Sequence, residues 1–156
     1  MRQCTKKLRE PIDLVRFVPY QLSVISTSLN AAIAREYETP FGLTNAAWRV
    51  MAILGWRSGT PLSASDIAGL AVMDKVAISR ALARLRTAGL VARRGQRTDR
   101  RRFVVTLTQR GLRVYQKIVP AARRRENEFL TQLTDEERTF LQHIFEKLLP
   151  RYVETP

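Results

Sequence analysis

The chain has 156 residues, 45% of them hydrophobic and 26% charged, the size and balance of one globular domain and neither a disordered polyelectrolyte nor a membrane span. One cysteine and one histidine exclude a disulfide framework and a Cys/His metal centre, so no cofactor is expected. The formal net charge of +13 points to a polyanionic partner, and the charge is uneven: residues 74–125 hold sixteen Lys and Arg against Asp74 and Asp99 alone, an excess that a solvated face of mixed sign does not produce.

Residues 1–7 are charged and lead into no apolar run, so a secretory leader is not expected and a cytoplasmic location is. After Pro19, apolar residues return at Leu22, Ile25, Leu29, Ala32 and Ile33, which is helical spacing. This helix is expected over about residues 20–37, ending before Thr39-Pro40 because a residue ahead of proline avoids the α region. Thr44 is placed to cap a second, mostly buried helix through Ala47, Trp48, Val50, Met51, Ile53 and Leu54. A turn at residues 58–61 precedes Ser63-Ala64-Ser65-Asp66, the spacing of a capping box, ahead of a short third helix over Ile67, Ala68, Leu70 and Ala71. That run, extended to Met73, is the longest apolar stretch and is far too short to cross a bilayer. Asp74 can cap a fourth helix to about Ala88, with Ile78, Leu82 and Leu85 inward and Gly89 as the glycine that ends it. Two short helices joined by a tight turn, the second carrying exposed arginines, form a helix-turn-helix pattern.

Beyond Gly89 the period changes. Residues 90–94 and 102–107 read as strands around a basic tip at residues 95–101, a β-hairpin. Thr108 caps a helix through Gly111, Leu112, Tyr115, Ile118 and Val119, expected to kink near Pro120 and continue over Phe129 and Leu133. Thr134 through Glu137 is a capping box with acids at the positive helix end. It opens a last helix over Phe140, Leu141, Ile144, Leu148 and Leu149, which Pro150 stops. The expected fold is mainly α with a small β-hairpin.

Several of these segments follow one another in a recognisable order: Gly42-Leu43-Thr44 before Trp48-Arg49-Val50; Leu62-Ser63 through Asp66-Ile67-Ala68; Asp74-Lys75 through Ile78-Ser79-Arg80; and Leu85 through Gly89-Leu90-Val91. Asp99-Arg100-Arg101, Val105-Thr106-Leu107-Thr108 with Gly111, and Leu133-Thr134 through Glu137 continue the series. Over about residues 20–150 the chain thereby resembles the multiple antibiotic resistance regulator (MarR) family of bacterial winged helix-turn-helix transcription factors, whose wing motif Asp-x-Arg falls on Asp99 and Arg101. The resemblance implies a homodimer paired through N- and C-terminal helices, here residues 1–40 and 110–156, around a winged helix-turn-helix part at residues 41–109. It implies binding to a pseudo-palindromic operator in double-stranded DNA as a ligand-controlled regulator, expected to be a repressor. The residues add their own support: Ile12, Val15, Phe17, Val18 and the apolar set from Phe140 to Leu149 exceed the core of one small winged module and suit a second chain. The alternative is an extra helical layer within one chain.

At the start of the fourth helix, Lys75, Val76, Ala77, Ser79 and Arg80 are expected in the major groove. Arg80 suits a bidentate contact to guanine, a phosphate contact being an equal alternative, and Val76 or Ala77 suits a thymine methyl. Arg84 and Arg86, farther along, suit phosphates or surface pairs. At the hairpin tip Arg97, Arg100, Arg101 and Arg102 suit a minor groove. Asp99 is assigned to orienting Arg101, as the family motif implies, with plain turn formation as the alternative. Ser63 and Ser65 suit backbone phosphates, capping being the stronger role for Ser63.

The resemblance also implies a small aromatic or phenolic anion as effector. Tyr20, Trp48, Arg49, Trp56 and Arg57 are the aromatic and cationic candidates for holding it, and ordinary packing competes for each. Cys4 lies beside Lys6 and Lys7 but has no second cysteine to resolve a sulfenate, which disfavours a redox sensor. An enzyme is not expected: His143 stands without a recognisable nucleophile, and no glycine-rich phosphate loop occurs. A membrane surface is disfavoured because the arginines divide between a helix and a hairpin. The competing function is a sequence-tolerant DNA-architectural or interaction protein on a winged-helix fold, against which the hairpin tip carries no apolar wedge.

Overall fold

Threonine, serine and aspartate oxygens take up the N–H groups that the first turn of a helix leaves free, and in this chain they set most of the helix starts. The computed structural model describes residues 12–95 and 103–149. In chain order these form α1 (Val18–Ala34), α2 (Glu38–Phe41), α3 (Asn45–Trp56), α4 (Ala64–Ala71), α5 (Lys75–Thr87), β1 (Val91–Gly95), β2 (Phe103–Leu107), α6 (Gln109–Leu130) and α7 (Asp135–Leu148). Cys4, Arg97, Asp99, Arg100, Arg101, Arg102 and the stop at Pro150 lie outside the described residues.

The expected caps are in place. Thr44 Oγ1 accepts from the Ala47 N–H at 3.3 Å, and Thr108 Oγ1 accepts from the Gly111 N–H at 3.0 Å. Ser63 with Asp66, and Thr134 with Glu137, close reciprocal capping boxes. α5 ends in a Schellman motif: Gly89 lies at φ +68, while the Leu90 N–H donates to the Leu85 carbonyl and the Gly89 N–H to the Arg86 carbonyl, both at 2.9 Å.

The first helix differs from the expectation. α1 stops at Ala34, and Pro40 lies inside the one-turn α2, where a missing N–H costs no helical hydrogen bond. The cause is long-range. Tyr37 is buried, and its ring stacks on Trp48 at 5.6 Å, which in turn stacks on Tyr115 of α6 at 6.1 Å. Burial pushes the Tyr37 phenol above its ordinary pKa, the Glu38 carboxylate adds to the rise, and the Arg49 guanidinium opposes it.

The core gathers on α3, whose Val50 and Met51 are fully buried and which packs against α4, α5, α6 and β2. Ile67, Ile78, Leu85, Val105 and Ile118 bring those elements inward. β1 and β2 pair antiparallel from Val91 opposite Leu107 to Gly95 opposite Phe103. Leu62 adds a bridge to Val105, whose N–H donates to the Leu62 carbonyl at 2.8 Å. α6 runs on through Pro120. Arg125 donates from Nε to Glu36 at 2.7 Å and from Nη1 to Glu128 at 2.9 Å, tying α6 to the α1–α2 connection. In contrast with α3, neither α1 nor α7 contains a buried residue. Among the described residues no helix is long and apolar enough to cross a membrane.

Candidate nucleic-acid interface

α5 is amphipathic about one stripe. Ile78, Ala81 and Leu85 are buried against the core, so the opposite spacing brings Val76, Ser79, Arg80 and Ala83 to one outer face, with Lys75 beside it. Lys75, Val76, Ser79, Arg80 and Arg84 are exposed and Ala77 is half-buried. Val76, a β-branched apolar residue that the core does not use, is 54% exposed.

The charge of this face is not cancelled locally. Asp66 and Asp74 are the acids of residues 57–95, and both carboxylates are engaged by backbone. Asp66 accepts from the Ser63 N–H at 2.8 Å; Asp74 Oδ2 accepts from the Val76 and Ala77 N–H groups at 3.0 and 3.1 Å. Lys75, Arg80, Arg84 and Arg86 accordingly form no ion pair among the described residues. Such a cationic helix face suits a polyanion.

Asp74 carries a prediction of its own. Asp74→Ala leaves two N–H groups at the tip of α5 without their acceptor, so the fold should lose about 1 kcal/mol. The expected fall in melting temperature is about 2–4 °C, read in a thermal unfolding scan.

Between α5 and the hairpin runs a groove of about 810 Å³ whose walls include Ser63, Ser65, Ser79, Arg86, Arg93 and Phe103. The Ser63 hydroxyl oxygen accepts its cap bond from the Asp66 N–H at 3.2 Å, which leaves its O–H free to donate, and Ser65 is exposed one residue into α4. Arg93 of β1 holds its guanidinium 3.6 Å from the centre of the Phe103 ring on β2. From the sequence Arg93 and Arg94 are strand residues with no assigned contact. Two successive arginines in a strand next to a basic tip were the signal that the hairpin's cationic surface begins before the tip.

The candidate effector residues do not share one environment. Tyr20 is exposed on α1. Trp48 sits in the aromatic stack, and Arg49 Nη1 donates to the Ala71 carbonyl at 2.8 Å. Trp56 and Arg57 do meet, with the guanidinium 3.9 Å from the centre of the exposed indole. Arg57 also lines a second groove, of about 840 Å³, with Leu62, Leu70, Val72, Met73 and Lys75 among its walls.

Comparison with known proteins fits this geometry. The MarR family model matches residues 41–102, from the end of α2 into the wing. An uncharacterized HTH-type transcriptional regulator of Bacillus subtilis (strain 168), YwoH, is 31% identical over 124 residues, which are 80% of this chain and 88% of that protein. A MarR family transcriptional regulator from Silicibacter pomeroyi, known from its crystal structure, shares 31% identity and superposes with a TM-score of 0.77 over 90% of this chain and 94% of its own. A Mycobacterium tuberculosis MarR family protein solved in complex with p-aminosalicylic acid shares 26% identity, with a TM-score of 0.68 over 85% of this chain and 98% of its own. With a winged helix-turn-helix architecture and relatives of this kind, the chain belongs to the MarR family of DNA-binding transcriptional regulators, which are not enzymes.

Proposed function

We propose that this regulator is a cytoplasmic repressor that binds a pseudo-palindromic operator in double-stranded DNA as a homodimer and is released by a small aromatic or phenolic anion. The observation that carries the reading is the coexistence of two surfaces on one chain: the cationic stripe of α5, and two helices, α1 and α7, with apolar exposed faces and no buried residue. Residues 41–109 serve DNA reading and residues 1–40 and 110–156 serve the second copy. A single module spans too few base pairs to select one site, and a symmetric pair doubles the reading length.

In this reading Lys75, Val76, Ala77, Ser79 and Arg80 face base edges, while Ser63, Ser65 and Arg84 lie along phosphates. The wing residues Arg97, Arg100, Arg101 and Arg102, with Asp99 orienting Arg101, enter the minor groove. The effector part rests on Arg57, beside Trp56. Its Nε and Nη2 are shielded from water and have no hydrogen-bond partner among the described residues, a state that an anion with an apolar body would relieve. The relative solved with p-aminosalicylic acid supports a ligand of that chemistry.

Selection of bound fragments from the native genome, followed by titration of the best site and a scrambled duplex at two salt concentrations, tests the proposal. One inverted repeat should bind about a thousandfold or more tighter than the scrambled duplex, and both should weaken as salt rises. Arg80→Ala should cost about 1–3 kcal/mol on that repeat and relax the preference at one base position. Equal binding to all sequences would overturn operator recognition in favour of a sequence-tolerant architectural role.

A further inference from the structure

The turn that joins α4 to α5 is held in a costly conformation. Val72 lies at φ +49 and ψ +46, the one non-glycine residue with positive φ among the described residues. The left-handed region crowds any Cβ, and a β-branched side chain fits it least. Val72 gains little in return, since its side chain is 65% exposed. The Val72 N–H is shared between the Ala68 and Gly69 carbonyls, the latter at 3.2 Å, and the Met73 N–H reaches the Ala68 carbonyl at 3.5 Å.

A further bond at this turn comes from outside it. Arg49, on α3, donates from Nη1 to the Ala71 carbonyl at 2.8 Å in a partly buried setting. That carbonyl precedes Val72 and is among those the last turn of a helix leaves without an intrahelical partner. A guanidinium donor makes the bond charge-assisted. Two residues beyond Val72, Asp74 caps α5, so the dihedrals of Val72 set the angle at which α5 leaves α4. Trp48, the neighbour of Arg49, stacks on Tyr115 of α6, so adjacent residues of α3 engage α6 and the helix-turn-helix turn.

We infer that Arg49 is a positioning residue for DNA binding: its hydrogen bond to the Ala71 carbonyl holds the strained Val72 turn, and with it the orientation in which α5 presents Lys75, Val76, Ser79 and Arg80. Arg49 itself touches no DNA. The inference rests on α5 being the DNA-reading helix, but the turn can also be followed without DNA.

The test compares the wild type with Arg49→Ala, Arg49→Lys, Val72→Gly and the Arg49→Ala/Val72→Gly double variant, by titration of the selected fragment and by amide exchange over residues 71–77. Arg49→Ala should bind about tenfold more weakly, the worth of one hydrogen bond from a charged group. Its exchange over the turn should be faster. Its slope of log affinity against log salt should not change, because no phosphate contact is lost. Arg49→Lys keeps a cationic donor and should fall between. Val72→Gly should bind within about twofold of the wild type, and in the double variant it should recover most of the loss, because glycine holds the left-handed turn unaided.

A wild-type affinity for Arg49→Ala, a salt slope shallower by about one, or a double variant no better than Arg49→Ala would overturn the inference. If Arg49→Ala does not fold, Arg49→Lys with and without Val72→Gly gives the same comparison. If α5 is not the reading helix, Arg80→Ala will leave binding intact while exchange over the turn still responds to Arg49.

Discussion

Replacing both Ile144 and Leu148 with glutamate is expected to leave a folded monomer that binds the operator at least about a hundredfold more weakly. On α7, Phe140, Ile144 and Leu148 recur every four residues and so form one stripe. Phe140 and Leu148 are each 69% exposed and Ile144 48%. α1 presents a matching face, with Val18, Leu22 and Ile25 exposed at helical spacing. Covering a large aliphatic or aromatic side chain stabilises by roughly 1.5–3 kcal/mol, and in a two-fold interface every substitution acts twice. Four carboxylates placed in that contact would have to lose water without partners. The chain fold itself should survive, because neither residue belongs to the core. In the proposed dimer, separating the two modules removes the effective concentration that joins the half-sites, which is worth about a hundredfold to ten-thousandfold. Light scattering on a size-exclusion column, circular dichroism and operator titration check the three parts. A variant that stays dimeric, or a monomer of full affinity, would show that these faces do something else.

What the sequence made legible was local. Ser63 with Asp66, Asp74, Thr108, and Thr134 with Glu137 act on N–H groups two or three residues away, so a short window of sequence contains the whole interaction. The α5 stripe was readable for the same reason, since buried Ile78 and Leu85 fix where Val76, Ser79 and Arg80 must lie. Contacts across the chain were not readable. The early end of α1 follows from Tyr37 packing on Trp48, beneath Tyr115 seventy-eight positions onward. The Leu62 bridge is one residue long and has no period to detect. Arg49, which beside Trp48 suggested an anion site, points its guanidinium at a carbonyl twenty-two residues away. Tyr20, Trp48, Arg49, Trp56 and Arg57 are aromatic or cationic by chemical type, and type does not say which of them share a cleft.

Gly111→Ala should cost about 3 kcal/mol or more, although alanine is the better helix former by about 1 kcal/mol. The first turn of α6 is docked on the junction between α5 and β1. The Thr108 N–H donates to the Leu90 carbonyl at 3.0 Å, and the Thr108 hydroxyl donates to the Gly89 carbonyl at 2.7 Å. Gly111 is buried one turn later. A Cβ there would overlap the Leu90 carbonyl oxygen and press on Leu107 Cδ2 at 3.3 Å. The main obstacle is backbone, which has no rotamer with which to yield, so α6 must lift from the junction or the Schellman turn must open. Gly69 on α4 provides the contrast. Its Cβ would meet nothing within 4 Å, so Gly69→Ala should show the propensity gain alone and raise stability by up to about 1 kcal/mol. Chemical denaturation of the two variants should therefore give shifts of opposite sign. Equal shifts would mean that α6 does not rest on the α5–β1 junction. Because α6 leads toward α7 while α5 and the hairpin carry the cationic surface, a lifted junction should also uncouple those regions. Gly111→Ala should then lose operator affinity even at temperatures where it is still folded.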